Sequence, residues 1–227
     1  MYEVKTDYPL ALYSNDYKFP DGAMHDNNRN PLFVPMVTAF LDYQDVKPPY
    51  SVLDIGCAGG GEVASFLDVG IEAVGLEGCD YNKLHQHFEW PKYPNNLFNC
   101  DITKPFQILQ NGEPVQFDFI TAWEVLEHIP AEFMAQTIRN LRAHCKGFIF
   151  TTINKDGAPN DPNDRHMVYK TGPKPFNWWK AFFIAEGFIQ HNDWVDQYFP
   201  KWCWIRFDVN KDTNSWVDVW SLEQQII

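Results

Sequence analysis

The chain has 227 residues, of which 45% are hydrophobic and 16% aromatic, and its formal net charge is −12. This length suits one domain spanning 1–227, and the apolar fraction excludes intrinsic disorder. The negative charge repels phosphate backbones over about 8 Å at physiological salt, so duplex nucleic acid is disfavoured as a partner. Small molecules, sugars or cationic groups fit better, although solubility alone also explains such a charge.

The cysteines and the N-terminus indicate the compartment. No two cysteines have Cys-x-x-Cys spacing, which favours buried, reduced thiols over a zinc site or disulfides: Cys57, Cys79, Cys100, Cys145 and Cys203. The first residues lack the basic and apolar regions of a signal peptide, and no apolar run approaches about 18 residues. We therefore expect a cytoplasmic protein without a membrane segment. The sequence carries no signal for an oligomeric state.

The first part of the chain is expected to be an arm and a cap helix over 1–48. Residues 1–30 are rich in Tyr, Asn, Asp and Pro and show no clear period, which predicts an irregular arm. From Pro31 to Leu41 the apolar residues recur at helical spacing, which predicts a helix.

Residues 50–210 alternate short apolar runs with helical segments, a pattern typical of a parallel sheet. The predicted strands are 51–55, 72–76, 96–100, 117–122 and 147–152, and the predicted helices are 62–67, 131–142 and 176–186. Two further strand-like stretches, 188–195 and 202–209, are joined by a Pro-containing turn and predict a closing antiparallel hairpin with no helix between its strands. The expected fold is α/β: a doubly wound, seven-stranded, mostly parallel sheet with one antiparallel strand from that C-terminal hairpin.

A glycine-rich turn follows the first of these strands, in the run Val52-Leu53-Asp54-Ile55-Gly56-Cys57-Ala58-Gly59-Gly60-Gly61. Glycine lets the backbone approach a ligand closely, and open α/β sheets bind ligands at the carboxyl ends of their strands. The glycine turn alone could equally hold a dinucleotide. Asp54 argues against that, because a carboxylate there would repel a pyrophosphate and would favour a cationic ligand with an amino-acid moiety.

Acidic residues also follow the next two predicted strands. Glu77 ends the second strand, where a carboxylate can accept both hydrogens of a ribose diol, and Asp101 follows the third, where it could accept from an adenine amino group. Each acid by itself could be a solvated turn residue. Three acids at three successive strand ends instead favour a nucleoside ligand.

Together with the run Phe117-Asp118-Phe119-Ile120-Thr121-Ala122-Trp123-Glu124-Val125-Leu126-Glu127-His128-Ile129-Pro130, these motifs resemble the class I S-adenosylmethionine-dependent methyltransferases. The resemblance implies a Rossmann-like sheet, S-adenosylmethionine as cofactor, and these cofactor-binding residues: Asp54, Gly56, Ala58, Gly60, Glu77, Gly78, Asp101, Ile102 and Trp123. One departure is Ala58, which stands where the family usually has the middle glycine of the turn.

The segment after the fourth strand offers a second group of polar residues. Spacings of three and four would put Glu124, Glu127 and His128 on one face of a helical turn, where they could serve as a general base or hold a divalent cation. The segment resembles the metal-dependent O-methyltransferases of small-RNA 3′ ends and of ubiquinone synthesis. The RNA enzymes have another histidine after the fifth strand, and His166 occupies a similar place. The predicted metal ligands are therefore Glu124, Glu127, His128 and His166. The alternative is that no metal binds, since many family members without one carry the same run.

These features predict an O-methyltransferase that acts on a small-molecule or sugar-like acceptor. His128 is the expected base, with Glu127 or Glu124 orienting it. The alternatives are a metal-dependent RNA 3′-end 2′-O-methyltransferase, a catalytically silent S-adenosylmethionine-binding module, and an NAD-dependent or nucleotide-sugar oxidoreductase. DNA base methylation is disfavoured, because the fourth strand is not followed by the Asn/Asp-Pro-Pro-aromatic run used on exocyclic amines. Trp178, Trp179, Phe182 and Phe183 are spaced for core packing on a helix.

Overall fold

The computed structural model describes residues 1–20, 25–27, 29–155, 157–158, 160–198 and 215–222. The strands in these residues are β1 Tyr2–Lys5, β2 Ser51–Ile55, β3 Glu72–Glu77, β4 Leu97–Asn99, β5 Gln107–Gln110, β6 Glu113–Pro114, β7 Phe117–Trp123, β8 Cys145–Asn154, β9 Phe188–Gln190 and β10 Ser215–Leu222. The α-helices are α1 Asn15–Lys18, α2 Phe33–Tyr43, α3 Gly61–Leu67, α4 Tyr81–Leu84, α5 Met134–His144, α6 Phe176–Ala185 and α7 Asn192–Tyr198.

Seven of the strands form one sheet in the order β4-β3-β2-β7-β8-β10-β9. All neighbouring pairs from β4 to β8 are parallel, whereas β10 is antiparallel to both β8 and β9. The predicted mostly parallel sheet with one antiparallel strand is therefore confirmed. From β2 to β4 the chain adds strands toward one edge of the sheet. From β7 onward it adds them toward the other edge. The crevice between the carboxyl ends of β2 and β7 is thus the topological switch point, where such sheets bind ligands.

The sheet is covered on both faces because successive residues of a strand point to opposite sides. Val52 of β2 packs in a cluster with Phe33, Phe40 and Phe66 of α2 and α3, while its neighbour Leu53 packs in a second cluster. The second cluster contains the apolar faces of α5 and α6, including Ile138, Leu141, Trp179 and Phe183. Trp179 and Phe183 are each 1% exposed, which confirms the prediction that this aromatic helix face is core.

The predicted C-terminal hairpin is wrong in detail. Only Phe188–Gln190 of the first predicted strand is a strand, and Asn192–Tyr198 is a helix. The antiparallel strand is Ser215–Leu222, and the predicted strand 202–209 lies outside the described residues. The aromatic side chains of α7 account for the difference, because Trp194 and Tyr198 each pack edge-to-face against Phe40 of α2, with ring centroids 5.3 Å apart.

The N-terminal arm is more ordered than its composition predicts. Strand β1 pairs antiparallel with β5, which also pairs with β6, to form a separate three-stranded sheet. Further along the arm, the Ala11 N–H donates to the Gly78 carbonyl at 2.9 Å, and the Asp101 N–H donates to the Tyr8 carbonyl at 2.9 Å. The arm therefore runs along the carboxyl ends of β3 and β4.

Two sequence-based expectations concern cysteines and membranes. The four cysteines in the described part of the chain are buried and free, as predicted, and Cys203 lies outside it. Within the same residues, no helix is both long enough and apolar enough to cross a membrane.

Candidate active site

The glycine turn after β2 bends the chain sharply into α3. Gly56 and Gly60 have φ angles of +71° and +85°, a region where L side chains are strained. A Cβ on Gly60 would also lie 2.6 Å from Leu97 Cδ1, so that side chain would have to shift. Ala58 has φ +44° as well, and its amide and carbonyl are held by Glu77 Oε2 at 3.0 Å and Trp90 Nε1 at 2.8 Å. These two hydrogen bonds hold the alanine in a conformation typical of the glycine it replaces.

Glu77 lies at the end of β3, beside this turn. Its carboxylate accepts from the backbone N–H groups of Ala58 and Cys79, at 3.0 and 2.9 Å. The side chain is 7% exposed and lines a cavity at the switch point. Burial raises the pKa of Glu77 to about 7, although the two backbone donors oppose that shift.

The cavity at the switch point opens to solvent. One wall comes from the ends of the strands and includes five predicted residues: Gly56, Glu77, Gly78, Ile102 and His128. The opposite wall is the N-terminal arm, which contributes Ala11, Tyr13, Ser14, Asp16 and Tyr17. The arm therefore forms the roof of the predicted cofactor pocket.

Three other residues predicted to bind the cofactor are placed differently. Asp54 is buried in β2 and accepts from Thr121 Oγ1 at 2.9 Å. Asp101 Oδ1 accepts from Thr103 Oγ1 at 2.6 Å and lies 3.5 Å from the Tyr13 hydroxyl. Trp123 packs under α2, with its ring 4.5 Å from that of Phe150.

Next to the cavity, the segment after β7 and the loop after β8 bring together three side chains. Glu127, His128 and His166 each place one donor atom within 4.8 Å of the others, and the two imidazole centroids are 5.1 Å apart. Glu127 is fully buried; its Oε1 accepts from the Asn154 N–H at 2.7 Å, while Oε2 has no hydrogen-bond partner among the described residues. Burial raises the pKa of Glu127 to about 7.

Glu124, the fourth predicted ligand, is not in this cluster. The prediction assumed an α-helical turn, but Glu124 has φ +50° and only Leu126–His128 forms a helix, of the tighter 3-10 type. The Glu124 N–H donates to both the carbonyl and the hydroxyl of Thr152 on β8, at 2.9 and 3.0 Å. These bonds turn the backbone away from helical geometry, so the spacing argument for Glu124 is wrong.

Asp16 contacts the cluster from the arm and was not predicted. Its Oδ2 lies 2.6 Å from His128 Nδ1. Burial lowers the pKa of His128, but the hydrogen bond and charge of Asp16 outweigh it and the net shift is upward. For His166 the net shift is downward, from burial and from the charge of His128. The only sequence signal for Asp16 is its place in a Ser14-Asn15-Asp16 helix start.

Comparisons with known proteins identify a family and a fold. A sequence profile of the family described as "Methyltransferase domain" matches residues 26–210. A search of curated proteins finds no match.

Solved structures show the same fold. The magnesium protoporphyrin IX methyltransferase of Synechocystis PCC 6803 with bound SAH is 14% identical, the match covers 80% of this chain and 90% of that chain, and the TM-score is 0.53. An S-adenosylmethionine-dependent methyltransferase from Clostridium acetobutylicum ATCC 824 is 10% identical, with 90% and 96% covered and a TM-score of 0.56. A TehB-like SAM-dependent methyltransferase from Corynebacterium glutamicum is 14% identical, with 93% and 98% covered and a TM-score of 0.52. At these identities the likeness concerns the fold.

Proposed function

This chain belongs to the methyltransferase-domain family, and we propose that it transfers a methyl group from S-adenosylmethionine to a hydroxyl of a small-molecule or sugar-like acceptor, assisted by a divalent cation. The observation that carries the proposal is the meeting of Glu127, His128 and His166 within 4.8 Å beside the cavity. A carboxylate and two imidazoles at the end of a methyl donor's pocket suit the activation of a hydroxyl.

The cofactor pocket supports S-adenosylmethionine as the methyl donor. Gly56 of the glycine turn lines the cavity where the methionine moiety would lie, and the buried Glu77 carboxylate fits a ribose diol. Cys100 and Ile102 supply an apolar wall after β4 for a base. When bound, the cofactor supplies a methyl group already activated on a sulfonium, so the protein has mainly to align the acceptor and exclude water.

The donor set fits a divalent cation. Glu127 Oε2 is buried without a hydrogen-bond partner in the described part of the chain, and such an orphaned oxygen is costly unless something satisfies it. A site of imidazole and carboxylate donors suits Mn²⁺ or Zn²⁺ better than a site of oxygen donors alone does. Mg²⁺ also accepts carboxylates. When bound there, a cation would lower the pKa of the acceptor hydroxyl.

The transfer itself is a displacement at carbon. The acceptor oxygen forms the new O–CH₃ bond, the S–CH₃ bond breaks, and its electron pair stays on sulfur as S-adenosylhomocysteine. The hydroxyl proton must leave: with a cation bound, to solvent after the pKa of the hydroxyl is lowered, or, without a cation, to the free ring nitrogen of His128. Glu127, His128 and His166 would hold the cation. The arm covers the pocket and limits access of water.

The test measures S-adenosylhomocysteine formation with a panel of hydroxyl acceptors: catechols, sugars and an oligoribonucleotide with a free 3′ end. We expect turnover on a small acceptor, its loss in EDTA and its recovery with Mn²⁺. His166→Ala should raise the Mn²⁺ concentration needed and leave the Kd for S-adenosylhomocysteine unchanged, whereas His85→Ala, at an exposed position, should change neither. Full activity in EDTA would exclude the cation and leave His128 as a base. Cofactor binding without turnover on any acceptor would favour a silent binding module.

A further inference from the structure

Asp16 lies on α1, far in sequence from the segment after β7 but in contact with it in space. Its Oδ2 is 2.6 Å from His128 Nδ1 although the two residues are 112 positions apart. The side chains of His128 and Asp16 are only 22% and 14% exposed, so solvent competes weakly for this contact. The Asp16 carboxylate is therefore placed to interact with His128 rather than with bulk water.

The fold holds Asp16 in this position from three directions. The Ser14 hydroxyl caps α1 by accepting from the Asp16 N–H at 3.1 Å. Asn15, only 4% exposed, donates to the carbonyls of Pro162 and Asp164 at 2.9 and 2.8 Å, which fixes α1 to the loop that carries His166. The other Asp16 oxygen, Oδ1, lies 3.5 Å from Arg165 Nε. Helix α1 thus ties both histidines of the cluster to the arm.

An imidazole accepts a hydrogen bond or binds a metal only through a ring nitrogen that carries no proton. The hydrogen bond made by the other ring nitrogen decides which of the two nitrogens is unprotonated. A carboxylate on Nδ1 keeps the proton there and leaves Nε2 as the nitrogen available to a proton or a cation. We propose that Asp16 is the positioning residue for His128, fixing its Nδ1–H tautomer and its ring orientation. The importance of Asp16 for turnover rests on the proposed function, whereas its effect on the His128 tautomer does not.

The assignment makes the N-terminal arm part of the catalytic machinery. The same arm covers the cofactor cavity through Ala11 and Tyr13. Lifting α1 would therefore remove the roof of the pocket and the partner of His128 together. Methyl transfer would then require the closed arm, not merely a bound cofactor.

The experiment compares Asp16→Ala and Asp16→Asn with the control Asp7→Asn, which removes the same charge at an exposed position of the arm. Imidazole ¹⁵N NMR of the His-labelled 227-residue chain, with His128→Gln to assign the resonance, reports the tautomer without needing an acceptor. We expect Nδ1–H in the wild type and in Asp7→Asn. In Asp16→Ala we expect a shift toward Nε2–H, the form a free imidazole favours. Asp16→Asn, whose amide oxygen can still accept, should retain Nδ1–H.

In the turnover assay, Asp16→Ala should lower kcat about 10- to 100-fold, the usual loss when the partner of a ligating or catalytic histidine is removed. An unchanged His128 spectrum in Asp16→Ala would overturn the inference whatever the activity. If the His128 spectrum shifts in Asp16→Ala but neither the wild type nor any variant shows turnover, the proposed function is wrong. The positioning role of Asp16 would still stand. If Asp16→Ala does not fold by circular dichroism, the spectrum of Asp16→Asn decides, and an Nε2–H tautomer there contradicts the assignment.

Discussion

Glu77 is expected to make cofactor binding depend on pH near neutrality. Burial raises its pKa to about 7, so the free protein gains a proton there as the pH falls from 8 to 6. A ribose diol donates more strongly to the carboxylate than to the neutral acid, and a hydrogen bond to a charged group contributes about 1.5–3 kcal/mol. At about 1.36 kcal/mol per factor of ten, Glu77→Gln should raise the Kd for S-adenosylhomocysteine roughly 10- to 150-fold at pH 8 and much less at pH 6.

Titration calorimetry at pH 6, 7 and 8 measures this difference. In Glu77→Gln, an amide NH₂ replaces one of the two carboxylate oxygens that accept from the Ala58 and Cys79 N–H groups. The stability of this variant must therefore be measured in parallel. The matched control is Glu72→Gln, at the exposed start of the same strand, which should bind like the wild type. A Glu77→Gln protein that is folded and binds S-adenosylhomocysteine at pH 8 as tightly as the wild type would refute the ribose assignment.

Three further predictions concern the scaffold. Phe33 is fully buried among the rings of Trp123, Phe150 and Phe119, so Phe33→Ala should cost about 3–5 kcal/mol in urea unfolding; a loss below about 1 kcal/mol would contradict this packing. Gly60→Ala should cost about 1–2 kcal/mol for its left-handed backbone and weaken cofactor binding, and an unchanged midpoint would argue against that conformation. Burial raises the pKa of Asp218 to about 7, so the folded state binds this proton more tightly than the unfolded state, and stability should fall as pH rises from about 4 to 7. Asp218→Asn should flatten that fall in urea melts, and an equal slope would exclude Asp218 as its source.

The parallel sheet and the glycine turn were predictable because local signals suffice for them. Buried strands are short apolar runs, and a turn with positive φ angles at Gly56 and Gly60 requires glycine. The meeting of His128 and His166 was also predicted, but from a resemblance to known enzymes. The residues alone do not specify how the loop after β8 folds back.

The errors arose where tertiary contacts decide the local structure. Glu124 has helical spacing to Glu127, yet hydrogen bonds to Thr152 hold its backbone at φ +50°. The aromatic segment around Trp194 has strand composition but forms a helix that packs on Phe40. Asp16 was missed because no pattern within the arm signals a partner 112 residues away.

The most direct test of the central claim is a crystal structure of the full chain grown with S-adenosylhomocysteine and Mn²⁺, with anomalous data collected for the metal. The account predicts one strong Mn²⁺ peak about 2.0–2.3 Å from donor atoms of Glu127, His128 and His166. It also predicts the cofactor under the arm, with its ribose on Glu77 and its sulfur facing the metal. Bound S-adenosylhomocysteine without a metal peak among these three side chains would contradict the cation-assisted reaction. A cofactor bound anywhere other than at the carboxyl ends of β2 and β3 would contradict the site itself.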